Sequence, residues 1–594
     1  MSNCDTTPLD TAQQASQEAL EAMFASLKQR HNFKLEAGAG AGKTYSLIQA
    51  LNRILDQRSM YLPRSDQRVA CLTYTNVARD EIVDRTDRSP YVFADTLHGF
   101  LWEMIRPYQK ALANSILASE AWGKLLGERA ELDRVEIEYD LGIRSIEDQK
   151  IALHHDDVPT LAIALFSNSK FRSLVTDRFP VIFIDEYQDT PEGLAEAILS
   201  GHNTDSASPV VGFFGDHWQQ IYARTCGSID HPTVTSIPKN ANFRSDRSIV
   251  SFLNFLRPEL AQAPAADAGD GKVTIYHTNE WPGTRLSGNW KGQISHEATR
   301  NCVTWLRTKS PSSVWARDSK NLKVLMLTHA TIANELGYPS LVSVFKYNEA
   351  FVRKEDPTIE YLVDVIEPAL DAFENHRYGT LFDVLGSRRL RLHAPGDKAR
   401  WNDFLNKLRG ITATGTVGEV LDLIEGEVLF PLPTRVAKRE KDLREAVDQL
   451  ADGQAPTEPR RLVEHHALRA VPYMEVRALS TYLSESTVFS TKHAVKGAEF
   501  DDVIVLLGRG WTQYDFAKML SIYPTRDKLV DSERARFERS RNLFYVAVSR
   551  AKHNLSLLFT QELDDTALAT LANWVGADNV VSIGFTDDRT PASR

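Results

Sequence analysis

Phe33-Lys34-Leu35-Glu36-Ala37-Gly38-Ala39-Gly40-Ala41-Gly42-Lys43-Thr44 is the stretch on which the fold turns. Phe33 to Glu36 predicts a short strand, and behind the glycines Leu47, Ile48, Leu51, Ile54 and Leu55 recur at helical spacing. Strand, glycine-rich loop and helix in that order make a seat for phosphate. Glycines let backbone N–H groups approach the anion, a helix N-terminus receives it, a lysine reaches the outer phosphates and a hydroxyl holds Mg²⁺. Gly38, Gly40, Gly42, Lys43 and Thr44 supply these parts, although Ala37 stands where the strict pattern has glycine.

Outward from the loop, a helix is expected over 12–29. Short apolar runs follow at Val69 to Leu72, Val181 to Ile184, Val210 to Phe214, Val324 to Leu327, Val503 to Leu507 and Leu555 to Phe559. Separated by helical stretches, such runs are the pattern of parallel sheets in α/β domains. Two blocks, about 101–172 and 346–482, lack them and are expected to be helical insertions, while Ala261 to Gly271 and Asp452 to Pro459 read as linkers.

At 594 residues the chain exceeds what one hydrophobic core serves. Hydrophobic residues at 42% and charged residues at 25% are ordinary for a globular protein and exclude whole-chain disorder. A net charge of −10 excludes a uniformly basic coat but leaves room for a local groove that binds phosphates. Cys4, Cys71, Cys226 and Cys302 form no C-x-x-C pair, so neither a zinc ribbon nor a cysteine-held cluster is signalled. No basic, apolar leader opens the chain and no stretch spans a bilayer, so a cytoplasmic location is expected.

A phosphate-loop ATPase also needs carboxylates at a buried strand's tip, one for Mg²⁺ and one for the attacking water. Val181-Ile182-Phe183-Ile184 delivers Asp185-Glu186-Tyr187-Gln188-Asp189-Thr190. This run resembles motif II of superfamily 1 helicases of the UvrD/Rep/PcrA group, and further motifs follow in the same order. Leu72 to Ala78 resembles motif Ia, Asp95 to Phe100 the family's Thr-Phe-His-Ser-Phe segment, and Gly215-Asp216-His217-Trp218-Gln219-Gln220-Ile221-Tyr222 motif III. Asn242-Phe243-Arg244-Ser245 is similar to motif IV, Thr491 to Phe500 to motif V, and Asn542 to Lys552 to motif VI.

The resemblance implies two RecA-like motor domains with mainly helical accessory insertions. Its boundaries would be 1–100 and 173–238 for the first motor domain with an insertion over 101–172, and 239–345 and 483–594 for the second with an insertion over 346–482. It implies ATP and Mg²⁺ as cofactors. Lys43 would hold the outer phosphates, Thr44 and Asp185 the Mg²⁺, Glu186 the water and Gln219 the γ-phosphate signal, with Arg244 and Arg550 as arginine fingers. Tyr222 and Glu499 match positions that meet adenine and ribose, and both also suit packing at a domain interface. Tyr74, Thr96, His98 and Phe100 match the family's DNA contacts, with Tyr74 equally readable as a core aromatic.

Several residues depart from the family. Tyr45 replaces an arginine that packs on adenine, which keeps stacking and loses the cation, and the adenine-reading glutamine is ambiguous among Gln13, Gln14 and Gln17. Ala223 and Arg224 stand where motif III continues to a base-stacking Trp, and Trp218 either compensates or packs in the cleft. About 40 residues follow motif VI, too few for a domain of about 50, so any nuclease is expected on another chain.

Two functions fit. One is a 3′ to 5′ translocase on single-stranded or tailed duplex DNA that unwinds duplex. The other is a DNA- or nucleotide-sensing ATPase subunit that controls a partner nuclease of OLD type, as in Gabija-type antiphage systems.

Overall fold

The computed structural model of the chain describes residues 11–127, 131–132, 135–139, 144–146, 149–200, 208–221, 224–309, 322–326, 333, 336–345, 351–352, 354, 356–385, 395–426, 432–451, 459–484, 489–490, 498–510, 514–585 and 591–592. They form two compact units, 1–322 with 496–594, and 323–495.

In the first unit the leading strands are β1 (Asn32–Ala37), β2 (Val69–Thr73), β3 (Val92–Thr96), β4 (Glu136–Tyr139), β5 (Ser145–Ile146) and β6 (Lys150–Leu153). Next come β7 (Val181–Asp185), β8 (Val210–Gly215), β9 (Val234–Lys239), β10 (Ala241–Asn242), β11 (Ala263–Pro264) and β12 (Lys272–His277). After β13 (Leu322–Met326) and β14 (Phe489–Ser490), which fall to the second unit but for Leu322, the first unit resumes with β15 (Phe500–Leu507), β16 (Arg509–Gly510), β17 (Tyr514–Asp515), β18 (Ala551–Phe559) and β19 (Val580–Ser582).

A parallel sheet runs in the order β3-β2-β7-β8-β1-β9. All residues of β2, β7 and β8 are buried, as expected of near-continuous apolar strands covered on both faces. α1 (Thr11–Lys28) packs on β1 and β9 through Ala12, Ala19, Leu20, Met23 and Leu27, and α2 (Lys43–Asp56) packs on β7 and β8 with Leu47, Ile48, Leu51 and Ile54 buried. The phosphate-loop strand β1 neighbours β8, which neighbours β7, so the loops leaving these three strands open at one edge. That edge is where ligands of open α/β sheets bind.

The second parallel sheet of this unit contains β15-β18-β12-β19. Its core is Val503–Leu507 and Leu555–Phe559, again fully buried. Both sheets are of the kind found in RecA-like motor domains.

Three expectations change. The block 101–172 is not free of strands: β4, β5 and β6 form a small sheet in the order β4-β6-β5. These strands are two to four residues long and bury mainly Ile137, Ile151 and Leu153 between polar neighbours, so no apolar run announces them. The stretch 261–271 is not simply an exposed linker, because β11 pairs with β10 and Gln262 is buried. The strands β3, β9 and β12 also escape the sequence pattern, since Asp95, Thr235, Ser236 and Thr274 interrupt their apolar residues.

In the second unit β13 pairs in parallel with β14, and its other described elements are helices, among them 357–374, 395–414, 417–425, 434–451 and 473–483. Thr416 and Glu419 form a capping box at the start of 417–425. Glu440 is buried and engaged by His465 and Arg469. The expected linker Asp452 to Pro459 lies outside the described residues, except for Pro459 at a helix start. No described helix is long and apolar enough to cross a membrane.

Gly212 is register partner to both Phe33 and Phe183, whose rings meet edge to face in the first sheet's core. A Cβ there would lie under 3.0 Å from both rings. Gly212→Ala is expected to destabilise this unit by about 1–3 kcal/mol, the usual penalty of overpacking. Thermal unfolding checks this against Gly123→Ala, whose Cβ meets nothing within 4 Å.

Candidate active site

Between β1 and α2 the chain turns through Gly40 at φ 74° and Gly42 at φ 75°, left-handed conformations that side chains resist. Gly42 is the N-cap of α2, and no side chain caps the helix start. Backbone donors with the positive end of the helix dipole behind them form an anion seat, so these residues fit a nucleotide phosphate. Lys43 projects from the first turn, and its Nζ lies 3.0 and 2.9 Å from the two carboxylate oxygens of Glu186. Burial alone would lower the Lys43 pKa, but Glu186, Asp216 and Asp185 outweigh it and hold the amine above its usual range.

The carboxylates come from the neighbouring strand ends. Asp185, the last residue of β7, is buried, and Glu186 follows in a left-handed conformation at φ 48°. Gln188 fixes Glu186 by donating to its Oε2 at 2.6 Å while accepting from the Asp216 amide at 3.0 Å. A carboxylate and a hydroxyl are the oxygen donors Mg²⁺ takes, so Asp185 with Thr44 at the start of α2 suits that ion. After β8, Asp216 accepts from Gln219 Nε2 at 2.9 Å and from the Trp218 amide at 3.0 Å.

The second sheet's segments reach the same edge. Arg550 is buried, donates to Gln219 Oε1 at 3.2 Å and to Val546 O at 3.0 Å, and pairs with no carboxylate among the described residues. Burial, with Arg244 nearby, lowers its pKa to about 9. Arg244 instead bonds Glu499 Oε2 at 2.9 Å, and Lys552 holds the other Glu499 oxygen at 2.8 Å. Two residues expected on separate parts of a nucleotide therefore contact each other. Phe243 N donates to Gly40 O at 2.9 Å, Asn242 Nδ2 to Ala39 O at 3.1 Å, and Ala39 N to Tyr545 Oη at 3.2 Å.

Behind motif III lies a buried ionic network. Arg257, 2% exposed, bridges Asp216 Oδ1 at 2.5 Å and Glu36 Oε1 at 3.0 Å. Glu36 also meets His217 Nδ1 at 2.6 Å and the Tyr187 hydroxyl at 2.5 Å. Burial would raise the Glu36 pKa, but these partners hold it well below the usual carboxylate range. Glu36, Asp216 and His217 bring metal-capable atoms within 4.8 Å of one another, yet the Arg257 guanidinium already occupies both carboxylates. Trp218 is buried against Arg541 at 3.8 Å, Arg257 at 5.2 Å and the Tyr545 ring at 5.6 Å. It packs in the cleft.

Residues 19–225 match the AAA domain family and residues 340–562 the UvrD-like helicase C-terminal domain family. The chain is also 21% identical to the Gabija protein GajB of Bacillus cereus (strain HuB5-5), an alignment of 678 residues covering 92% of this chain and 96% of that one. By these matches it is similar to the UvrD-like helicases.

On the DNA side the chain departs from what the resemblance implies. Tyr74 is 39% exposed just beyond β2. The Thr96 hydroxyl caps the helix Leu97–Ile105 by accepting from Gly99 N at 3.1 Å. His98 stacks on His155 with centroids 3.5 Å apart, and burial together with His155 lowers its pKa to about 3, so it is neutral. Phe100 must be corrected: it is fully buried, edge-on to Phe93 and Phe179, and offers no surface to a base. It shares the inward stripe of its helix with Leu97, Leu101 and Met104, and that periodicity decides its burial.

Other expected positions are displaced or undescribed. Tyr222, Ala223 and motif V from Thr491 to Gly497 lie outside the described residues, and Arg224 is exposed at φ 60°. Gln14 and Gln17 face solvent, bonded to Glu18 and Glu21. The buried amide at the loop is Gln262, which donates to Ala39 O at 3.2 Å and Ala241 O at 2.8 Å. Sequence reading also passed over Phe243, an exposed ring on the segment docked against Gly40, and over Arg257, Gln188 and Tyr545.

Arg257→Ala would leave Glu36 and Asp216 buried without their cation. Removing one partner of a buried ion pair costs about 3–5 kcal/mol. A thermal unfolding midpoint close to the wild type would show that this network is not what ties the two strand ends together.

Proposed function

We propose that the chain is an ATP-driven motor that moves 3′ to 5′ along single-stranded DNA, serving antiphage defence with a partner nuclease of OLD type. The observation that carries the motor reading is the 3.2 Å contact between Gln219 and Arg550, 331 residues apart. It joins the edge that holds Lys43, Asp185 and Glu186 to the segment that carries the finger. Bound Mg²⁺ would neutralise phosphate charge. The Lys43 ammonium occupies Glu186 until an anion competes for it, and the freed carboxylate then orients water and takes its proton. Arg550, which forms no ion pair with a carboxylate among the described residues, is available to charge developing on the transferred phosphoryl group.

Direction and DNA dependence rest on the family resemblance, with Tyr74 and Thr96 as the contacts that remain open to a strand. The defence setting is supported by the similarity to the Gabija protein. A second reading, a nucleotide- or DNA-sensing subunit with little unwinding of its own, is favoured by one observation. Trp218 is buried and Arg224 replaces the stacking Trp, so motif III offers no base platform among the described residues.

Glu186→Gln should lose hydrolysis by about 10² to 10⁴-fold, as expected for a general base. Arg550→Ala should keep nucleotide binding while losing about 10³-fold or more in turnover. Steady-state phosphate release and fluorescent-nucleotide titration check both, and near-normal turnover of Glu186→Gln would overturn the site.

Single-stranded DNA should stimulate the ATPase, since a strand gripped across both sheets helps assemble Arg244 and Arg550 on the phosphate loop. Unwinding of a tailed duplex should be weak, because a missing stack forfeits roughly 1–3 kcal/mol per base, comparable to about 1.4 kcal/mol per base-pair step. Arg224→Trp should improve unwinding. Vigorous unwinding by the wild type would refute the weak grip, and an ATPase indifferent to DNA would favour the sensing subunit.

A further inference from the structure

Lys239 ends β9 and is register partner to Ala37, the last residue of β1 before the phosphate loop. Its side chain is fully buried. The ammonium donates to Ser46 Oγ at 2.7 Å and Gly42 O at 3.2 Å and lies 5.6 Å from the Tyr45 ring centre. Among the described residues no carboxylate reaches it from α1, α2 or β1, and burial lowers its pKa to about 8. A buried lysine without a counter-charge is costly to maintain unless something nearby benefits from the charge.

The carbonyl it bonds belongs to the same peptide unit as the Lys43 N–H, one of the open donors at the start of α2. An ammonium on the oxygen of an amide withdraws electron density and strengthens that amide's N–H as a donor. The charge also sits immediately behind the loop, in a medium that screens it poorly.

We propose that Lys239 is a second phosphate-loop lysine, a positioning residue that strengthens the loop's hold on a triphosphate through the Gly42–Lys43 peptide without touching the nucleotide. This rests on the ATP-binding reading above. A bound triphosphate stabilises the ammonium and raises its pKa. Affinity is then full below about pH 8 and is lost as pH rises through the free value toward the bound one. Among the described residues the Tyr45 phenol is the titratable group that lies against the Lys239 ammonium.

The experiment titrates the full chain with MgATP and with uncharged adenosine between pH 7 and pH 10. Lys239→Met should weaken MgATP binding and raise KM about tenfold, the equivalent of one pKa unit, and abolish the pH dependence. Adenosine binding and kcat should hold within about threefold, the signature of lost ground-state binding. Wild-type affinity for MgATP that is flat over this range overturns the proposal, and so does a Lys239→Met chain that binds like the wild type. If Lys239→Met does not fold, the wild-type MgATP and adenosine profiles decide alone. Lys43→Ala separates the readings. If it binds MgATP normally, the ATP site itself is wrong and the role of Lys239 falls with it. If it loses binding while Lys239→Met retains it, only Lys239 falls.

Discussion

The guanidinium of Arg257 is the constraint on which the candidate site depends. Glu36 ends near the tip of β1 and Asp216 follows β8, so parallel strand order places two carboxylates side by side in a region closed to water. Two such charges cannot remain ionised together without a cation between them. The cation comes from the end of the helix Arg247–Leu256, which packs on β12 and β18 of the second sheet. One interaction therefore offsets part of the negative charge at the first sheet's edge and ties that edge to the segment carrying the arginines.

From that tie the charge pattern of the cleft follows. Asp216, held by Arg257, orients Gln219, and Gln219 meets Arg550. Lys43 is balanced by Glu186 and Arg244 by Glu499, whereas among the described residues Arg550 and Lys239 form no ion pair with a carboxylate. These two cations lie on the two sides of the phosphate loop. An anion entering there finds neutral partners to displace and two cations already desolvated, the kind of preorganised field that favours phosphate chemistry.

The loop, α2 and the central strands were legible in sequence because each carries its own signal: glycines before a lysine, apolar residues at helical spacing, or four and more apolar residues in a row. What escaped depends on partners far along the chain. Arg257 meets Glu36 across 221 residues and Gln262 meets Ala39 across 223, and nothing local marks either. Lys239 ends a strand whose Thr235 and Ser236 hide its pattern. Phe100 shows the opposite fault, a residue read from its motif while its place on an apolar helix stripe settled its burial.

Trp218 brings these points together. An aromatic in motif III invites a base-stacking role, but a ring that is 5% exposed and surrounded by Arg257, Arg541 and Tyr545 has no face left for a base. Its neighbours identify what it can do instead. Arg257 anchors the strand tips, Arg541 and Tyr545 belong to the helix Asp531–Val548 that leads to Arg550, and Gln219 is the next residue in the chain. A rigid ring packed among these groups cannot be displaced alone in a close-packed interior. Any change in nucleotide that moves Gln219 must therefore be felt by the helix leading to Arg550 through contacts already made. In this chain the motif's aromatic surface is spent on packing between segments of the two sheets.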